Sequence, residues 1–317
     1  MSRRPLGPPG SADPVMVTSD LTGRRVRVSV PATSANLGPG YDSFGLALEL
    51  RDVVTAEVVP GDLEISVVGE GESTLGRGPD HLVHRSLRRG FEACGLELPT
   101  VRLECRNAIP QGRGLGSSSA AIVAGLGLAR ALAPEGERLL DDDTLFRLAA
   151  ELEGHPDNVA PATYGGFTIA YREGGEFRAV RTPISERVAT LVCIPDAVLE
   201  TTVARGLIPA AVPHGDAAAD AGRAALLVAA LAGRPDLLLD ATRDWLHQSY
   251  REPAMPESLA LVGSLRERGL AAVVSGAGPT VLVLSEAGSL PDPGTVAPAG
   301  WRGLSLEVSP VGLRVER

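Results

Sequence analysis

The run Pro110-Gln111-Gly112-Arg113-Gly114-Leu115-Gly116-Ser117-Ser118-Ser119-Ala120 constrains this chain more than any other stretch. It lies between an apolar segment, Val101 to Cys105, that reads as a strand and a helical pattern starting at Ser117. Closely spaced glycines let backbone amides turn toward a ligand. The serines then open a helix, whose first four N–H groups lack partners and whose dipole is positive. Together these features make an anion site, and phosphate is the expected anion. A flexible linker is the competing reading. It fails because Ile122, Leu126, Ala129 and Leu132 continue at helical spacing, the mark of a buried helix. The lysine-bearing P-loop is excluded, since all 30 basic residues of the chain are arginine.

The bulk properties narrow the function classes. With 317 residues, 44% of them hydrophobic, the chain has material for one large or two medium cores. A net charge of -9 and only 3% aromatic residues argue against a nucleic-acid partner. Cys94, Cys105 and Cys193 are odd in number and widely spaced, so they read as buried thiols of a reducing compartment. No stretch is long and apolar enough for a membrane span. The Pro- and Gly-rich stretch 1–22 reads as a disordered tail rather than a signal peptide. The expectation is a soluble, cytoplasmic protein with no membrane partner.

Polar residues gather at three further points. Pro31 to Asp42 reads, taken alone, as a turn in which Asn36 and Asp42 bond their own backbone. The helix 141–153 ends in Glu151-Leu152-Glu153-Gly154-His155-Pro156-Asp157-Asn158, which sets carboxylates, an imidazole and an amide at a helix exit. Such a cluster suits Mg²⁺ or a polar substrate. Ser275-Gly276-Ala277-Gly278-Pro279 forms a second glycine turn between two short strands. Strands are expected over 24–30, 53–59, 63–68, 101–105, 167–171, 187–194, 270–274, 280–284 and 304–308. Helices are expected over 81–94, 117–133, 141–153, 197–207, 217–231, 235–245 and 256–268. His81 and His84, without a third ligand nearby, read as ordinary histidines rather than a metal site.

Taken together, the loop Pro110–Ala120, the segments 31–40 and 153–161, and the turn Ser275–Thr280 resemble the GHMP small-molecule kinases. The resemblance runs from about Val26 to the end of the chain. It implies an α+β, two-domain fold: residues 23–185 as a nucleotide-binding N-terminal domain and 186–317 as a ferredoxin-like C-terminal domain. It implies transfer of the γ-phosphoryl of ATP to the hydroxyl of L-homoserine, on the way to threonine. Residues 110–120 would wrap the nucleotide phosphates. Ser118 with Glu151 or Glu153 would hold Mg²⁺, and the sequence leaves that choice open. Asn36 and Asp42 would meet the substrate ammonium, and Arg205 and Arg251 its carboxylate. Thr201, His155, Asp157, Gly276 and Gly278 would line the same pocket. Asn158 stands where sibling kinases resembling this segment carry a carboxylate base, so positioning and electrostatics are expected to carry catalysis. The departures are Tyr41, where Phe is usual, and His81, where Asn is usual beside the adenine pocket. Arg106 or Arg113 would supply any cation for the nucleotide. A kinase for a different alcohol, of mevalonate or shikimate type, and a non-catalytic ligand-binding relative are the rivals. The resemblance further suggests a homodimer.

Overall fold

A computed structural model of the chain describes residues 21–316. The reading of 1–22 as a tail therefore falls mostly outside the described residues. Leu21 is within them, and it is buried in the core.

In chain order the elements are β1 (Arg25–Asn36), β2 (Gly40–Val58), β3 (Glu64–Gly69), α1 (Leu82–Ala93), β4 (Val101–Asn107), α2 (Ser117–Leu132) and α3 (Gly136–Leu139). They continue with α4 (Asp142–Glu153), α5 (Val159–Tyr164), β5 (Phe167–Glu173), β6 (Glu176–Thr182), β7 (Val188–Ile194) and α6 (Thr201–Gly206). The chain closes with α7 (His214–Gly233), α8 (Leu238–Ala241), α9 (Pro256–Glu267), β8 (Ala271–Val274), β9 (Val281–Glu286), α10 (Pro293–Val296), β10 (Arg302–Leu306) and β11 (Arg314–Glu316).

The first sheet has seven strands. Its path runs β11-β1-β2-β4-β3, and β5 also pairs with β2 and carries β6. Only β3 and β4 run parallel, joined by α1 as a β-α-β crossover. Helices cover one face, with α2 buried along most of its length against α1 and the sheet. The other face presents Arg25, Arg27, Glu104 and Arg106 around an open charged hollow. Alternation along β4 creates the difference, since Val101, Leu103 and Cys105 are buried while Arg106 is exposed.

The second sheet has the antiparallel order β10-β7-β9-β8. With α7 and α9 after its first strand and α10 before its last, this is the ferredoxin-like arrangement. One face of its strands packs on Leu227 and Leu231 of α7, and the other on Val262 and Leu265 of α9. Both faces are therefore covered. That explains why Ala271–Val274 and Val281–Leu284 are apolar without alternation.

Five expectations need correction. The turn expected at 31–42 is the end of a long hairpin, in which β1 runs to Asn36 and β2 starts at Gly40. Ala32, Thr33, Ser34 and Ala35 are buried, and the pairing shifts register twice, so no alternation signals a strand there. The helix expected over 197–207 is only α6, and that over 235–245 is a 3₁₀ turn followed by the short α8. Helix α5 and strand β6 were not expected; Pro161 inside α5 masks its helical pattern. Finally, the C-terminal unit does not keep its last residues. The chain returns to the first sheet, where β11 pairs with β1.

Candidate active site

Site construction begins where the first glycine turn meets the second. Ser275 Oγ lies 2.6 Å from the Gly114 carbonyl and 2.8 Å from Ser34 Oγ. The Thr33 amide donates to Leu115 O and the Thr280 amide to Arg113 O. Gly114 and Gly116 have φ of 76° and 69°. A Cβ at Gly114 would collide with the Ser275 carbonyl, and one at Gly116 with Thr33 Oγ1. Glycine is required at both by conformation and by space. Gly116 caps α2 without any side-chain cap, which leaves the first amides of that helix to a ligand. Leu115, Ser119 and Ala120 are buried under the loop, while Gly112 and Ser118 are exposed.

The end of α4 faces this loop. Ser118 Oγ donates to Glu153 Oε2 over 2.7 Å, and Ser119 Oγ to Glu153 Oε1 over 3.0 Å. Glu151 lies on the exposed side of the same helix, away from the cavity. Two residues along an α-helix turn a side chain by about 200°, so only one of the pair can point inward. Past the helix, Asp157 is 2% exposed and bonds His155 Nδ1 at 2.8 Å and the Asn158 amide at 3.0 Å. Burial opposes the His155 imidazolium. The bond to Asp157 and the nearby Glu153 outweigh it, and the pKa is raised. Asn158 Oδ1 accepts from Thr33 Oγ1 over 2.8 Å, which holds the amide beside Gly116.

The opposite wall comes from the hairpin tip and from 201–251. Asn36, at φ 69°, accepts from the Asp42 amide (3.0 Å) and donates to Gly276 O (2.9 Å). It braces the wall, much as the simple turn reading has it. Asp42 is paired with Arg205, whose Nη1 reaches Asp42 Oδ2 and the Tyr41 hydroxyl at 3.1 Å each. Thr201 opens α6 and lines the cavity with Arg205. Arg251 is 1% exposed and donates to Gly276 O over 2.9 Å, with no carboxylate among the described residues bound to it. Its neighbour is His247, fully buried, whose Nδ1 is 3.2 Å away and whose Nε2 is 2.8 Å from Gly38 O. Burial pushes the His247 pKa down. Tyr41 stacks on His247, and the guanidinium carbons of Arg205 and Arg251 each lie 5.7 Å from the Tyr41 ring centre.

These residues enclose a cavity of about 110 Å³ lined by Gly112, Ser118, Glu153, His155, Asn158 and Arg251, among others. Gly276 borders it, but Gly278 packs under the turn against Met255 and does not. On the other side of Ser117 and Ser118 lies a second cavity, of about 520 Å³, running between the loop and the start of α1. Neither candidate arginine lines either cavity. Arg113 is spent on the carbonyls of Pro195, Gln111 and Asp196, and Arg106 lies on the far face of the sheet. Sequence reasoning missed the backing of the opposite wall, where His247 stacks on Tyr41 and reaches Arg251 while Asp244 accepts the His247 and Gln248 amides at 3.2 and 2.7 Å. The spacing Asp244, His247, Arg251 is the only sequence signal for those three, and it is no stronger than an ordinary helical turn.

Two cavities sharing a glycine–serine loop, one large enough for a nucleotide and one walled by charges for a small polar molecule, describe a small-molecule kinase. The GHMP kinases N terminal domain matches residues 81–166 and the GHMP kinases C terminal domain residues 226–294, and the chain belongs to that superfamily. Within it, the chain belongs to the homoserine kinase family. It is 52% identical to the homoserine kinase of Streptomyces avermitilis across 92% of this chain and 95% of that one. It is 47% identical to that of Leifsonia xyli across 95% and 94%. The crystal structure of homoserine kinase from Cytophaga hutchinsonii shares the fold at a TM-score of 0.77, with 24% identity over 92% and 97% of the two chains. Mevalonate diphosphate decarboxylase from Staphylococcus aureus shares it too, at 0.61 and 14% identity over 93% and 98%. Fold alone therefore does not choose the chemistry. Among the described residues no helix is long and apolar enough to cross a membrane.

Proposed function

We propose that this protein transfers the γ-phosphoryl group of ATP to the side-chain hydroxyl of L-homoserine, giving O-phospho-L-homoserine for threonine synthesis. One observation carries the reading. The loop serines and Glu153 face, across a cavity of small-molecule size, an arginine that has no carboxylate partner among the described residues.

The nucleotide belongs to the large-sheet domain, residues 23–185 with the returning tail, and its base to the 520 Å³ cavity. Backbone amides of 112–118 grip the phosphates, as the absence of lysine demands. Glu153 and Ser118 suit Mg²⁺. Among the described residues no group of three metal-ligating side chains exists, and Mg²⁺ typically takes one or two carboxylates and completes its shell with water and phosphate. When bound, the ion would neutralise charge on the phosphates.

Arg251 receives the substrate carboxylate. Asp42 and Arg205, paired with each other here, offer a cationic and an anionic group to a zwitterion that carries both. Exchange of one ion pair for two keeps the charges balanced as the substrate enters. His155, held by Asp157 and Glu153, lines the same space, as does Thr201. Asn158 has no basic atom. Its amide, fixed by Thr33, orients the acceptor hydroxyl, and the proton leaves with the phosphoryl oxygens.

The test is ATP turnover by the full chain, with product followed by phosphorus NMR, across L-homoserine, mevalonate and shikimate. Phosphoryl transfer that depends on homoserine is expected. Equal turnover of mevalonate, or none with any alcohol, would sink the reading. A homodimer is part of the proposal, and sedimentation velocity decides it.

A further inference from the structure

Arg251 lines the cavity at the glycine loop, and what aims it lies behind the wall. Both hydrogen bonds of its guanidinium are made by Nη1, one to Gly276 O at 2.9 Å and one to His247 Nδ1 at 3.2 Å. A guanidinium Nη carries two hydrogens, so Nη1 is fully used. Nε is buried without a partner. That leaves Nη2 to meet a carboxylate. Held at Gly276 O alone, the planar group could pivot about that one bond. The second contact fixes the plane, and with it the direction of Nη2.

The partners of His247 also fix the state of its ring. Gly38 O, 2.8 Å from Nε2, can only accept, and a guanidinium can only donate. The proton therefore sits on Nε2, and Nδ1 keeps its lone pair for Arg251. Burial and the Arg251 charge both disfavour a second proton. The other charged and titratable groups around the ring are engaged. Asp244 Oδ1 is 3.6 Å from Nε2, and the carboxylate accepts the amides of Leu246 at 2.9 Å and Gln248 at 2.7 Å. Tyr41 stacks on the imidazole at 5.2 Å, and Asp42 is paired with Arg205. His247 itself is fully buried and does not line the cavity.

We propose that His247 is a positioning residue, whose Nδ1 lone pair aims Arg251 Nη2 at the substrate and so sets the preference for an alcohol that carries a carboxylate. This rests on the homoserine reading of the site. Two substitutions in the full chain separate the two ring nitrogens. His247→Asn puts an amide oxygen near the place of Nδ1 and keeps an acceptor for Arg251. His247→Gln reaches the place of Nε2, keeps a donor for Gly38 O and leaves a hydrogen of Nη1 unpaired.

KM for homoserine should rise about tenfold or more in His247→Gln, the worth of a hydrogen bond to a charged group. In His247→Asn it should stay within about threefold, and KM for ATP should hold in both. L-homoserine amide, which lacks the carboxylate charge, should respond to His247→Gln by less than about twofold. Equal rises in the two variants, a rise shared by ATP, or an equal loss with the amide overturns the proposal. Nitrogen NMR of the unmodified protein needs neither variant nor turnover, and only five histidines contribute. With His247 assigned through its backbone, its ring should show a protonated Nε2 and a bare Nδ1 near neutral pH. A proton on Nδ1 overturns the proposal whatever the substrate. The expected tautomer without homoserine turnover upholds the His247–Arg251 arrangement and removes only the substrate reading.

Discussion

Glu151 and Glu153 are two positions apart on α4 and have opposite surroundings. Glu153 accepts two serine hydroxyls in the cavity, whereas Glu151 points to solvent. Glu153→Gln is expected to lower kcat by about 10²–10³-fold, the scale for losing one group that stabilises transferring charge. Glu151→Gln should stay within about twofold, as exposed substitutions do. Steady-state kinetics on both variants separates them, and equal losses would remove Glu153 from its role. His155 gives a pH signature. Its folded pKa is raised above the ordinary imidazole value, so its contribution to stability is complete below about pH 6.5 and is lost as pH rises through the folded value. Urea midpoints from pH 5.5 to 9 should fall more steeply for the unmodified protein than for His155→Gln. Parallel curves would show that the Asp157 contact does not hold the charge.

At the scale of elements, the glycine loop is held from behind as well as in front. Asp52 on β2 takes the amides of Ala108 and Ile109 on one oxygen, just where β4 gives way to the loop. Burial pushes its pKa up to about 6, against the two amide bonds. A carboxyl whose folded pKa lies above its unfolded one stabilises fully below about pH 4. That contribution disappears as pH rises through 6. Asp52→Asn keeps an oxygen for both amides. It should flatten the stability curve between pH 4 and 6.5 without lowering the midpoint at pH 7.5. A large loss at pH 7.5 would mean that the ionised carboxylate itself is needed. Further along, Gly116→Ala is expected to cost about 1–3 kcal/mol through backbone strain, before its collision with Thr33 is counted. It should also raise KM for ATP. Thermal melting and nucleotide titration together check both effects.

Over the whole molecule, the two sheets are tied by the returning C-terminus. Arg51 on β2 bonds Ser309 Oγ at 3.0 Å, Val311 O at 3.1 Å and the Gly312 carbonyl, and Leu313 packs on Gly127 of α2. Burial, with Arg314 close by, lowers the Arg51 pKa to about 10, so it stays charged at neutral pH. Arg51→Ala should cost on the order of 3 kcal/mol, because charged hydrogen bonds are lost and carbonyls are left without donors. Denaturant unfolding measures it, and a change under about 0.5 kcal/mol, the size typical of surface positions, would show that the tail is not a structural tie.

Much of this protein was determined by local chemistry that the sequence writes out. The glycine–serine loop, the capped helix exit and the covered strands of the second sheet each follow from residue type and spacing within about a dozen positions. The tertiary structure decided what depends on distant partners. It turned Glu153 toward the cavity and Glu151 to solvent, paired Asp42 with Arg205 and left Arg251, among the described residues, without a carboxylate. It also turned the expected turn at 31–42 into a long hairpin and carried β11 back to the first sheet. The reason is physical. A turn or a helix start is fixed by the dihedral freedom and hydrogen-bonding groups of neighbouring residues. Which side of α4 faces a cavity is fixed by contacts between residues 34 and 35 positions apart, and which guanidinium is spent on a carboxylate by a pair 163 apart.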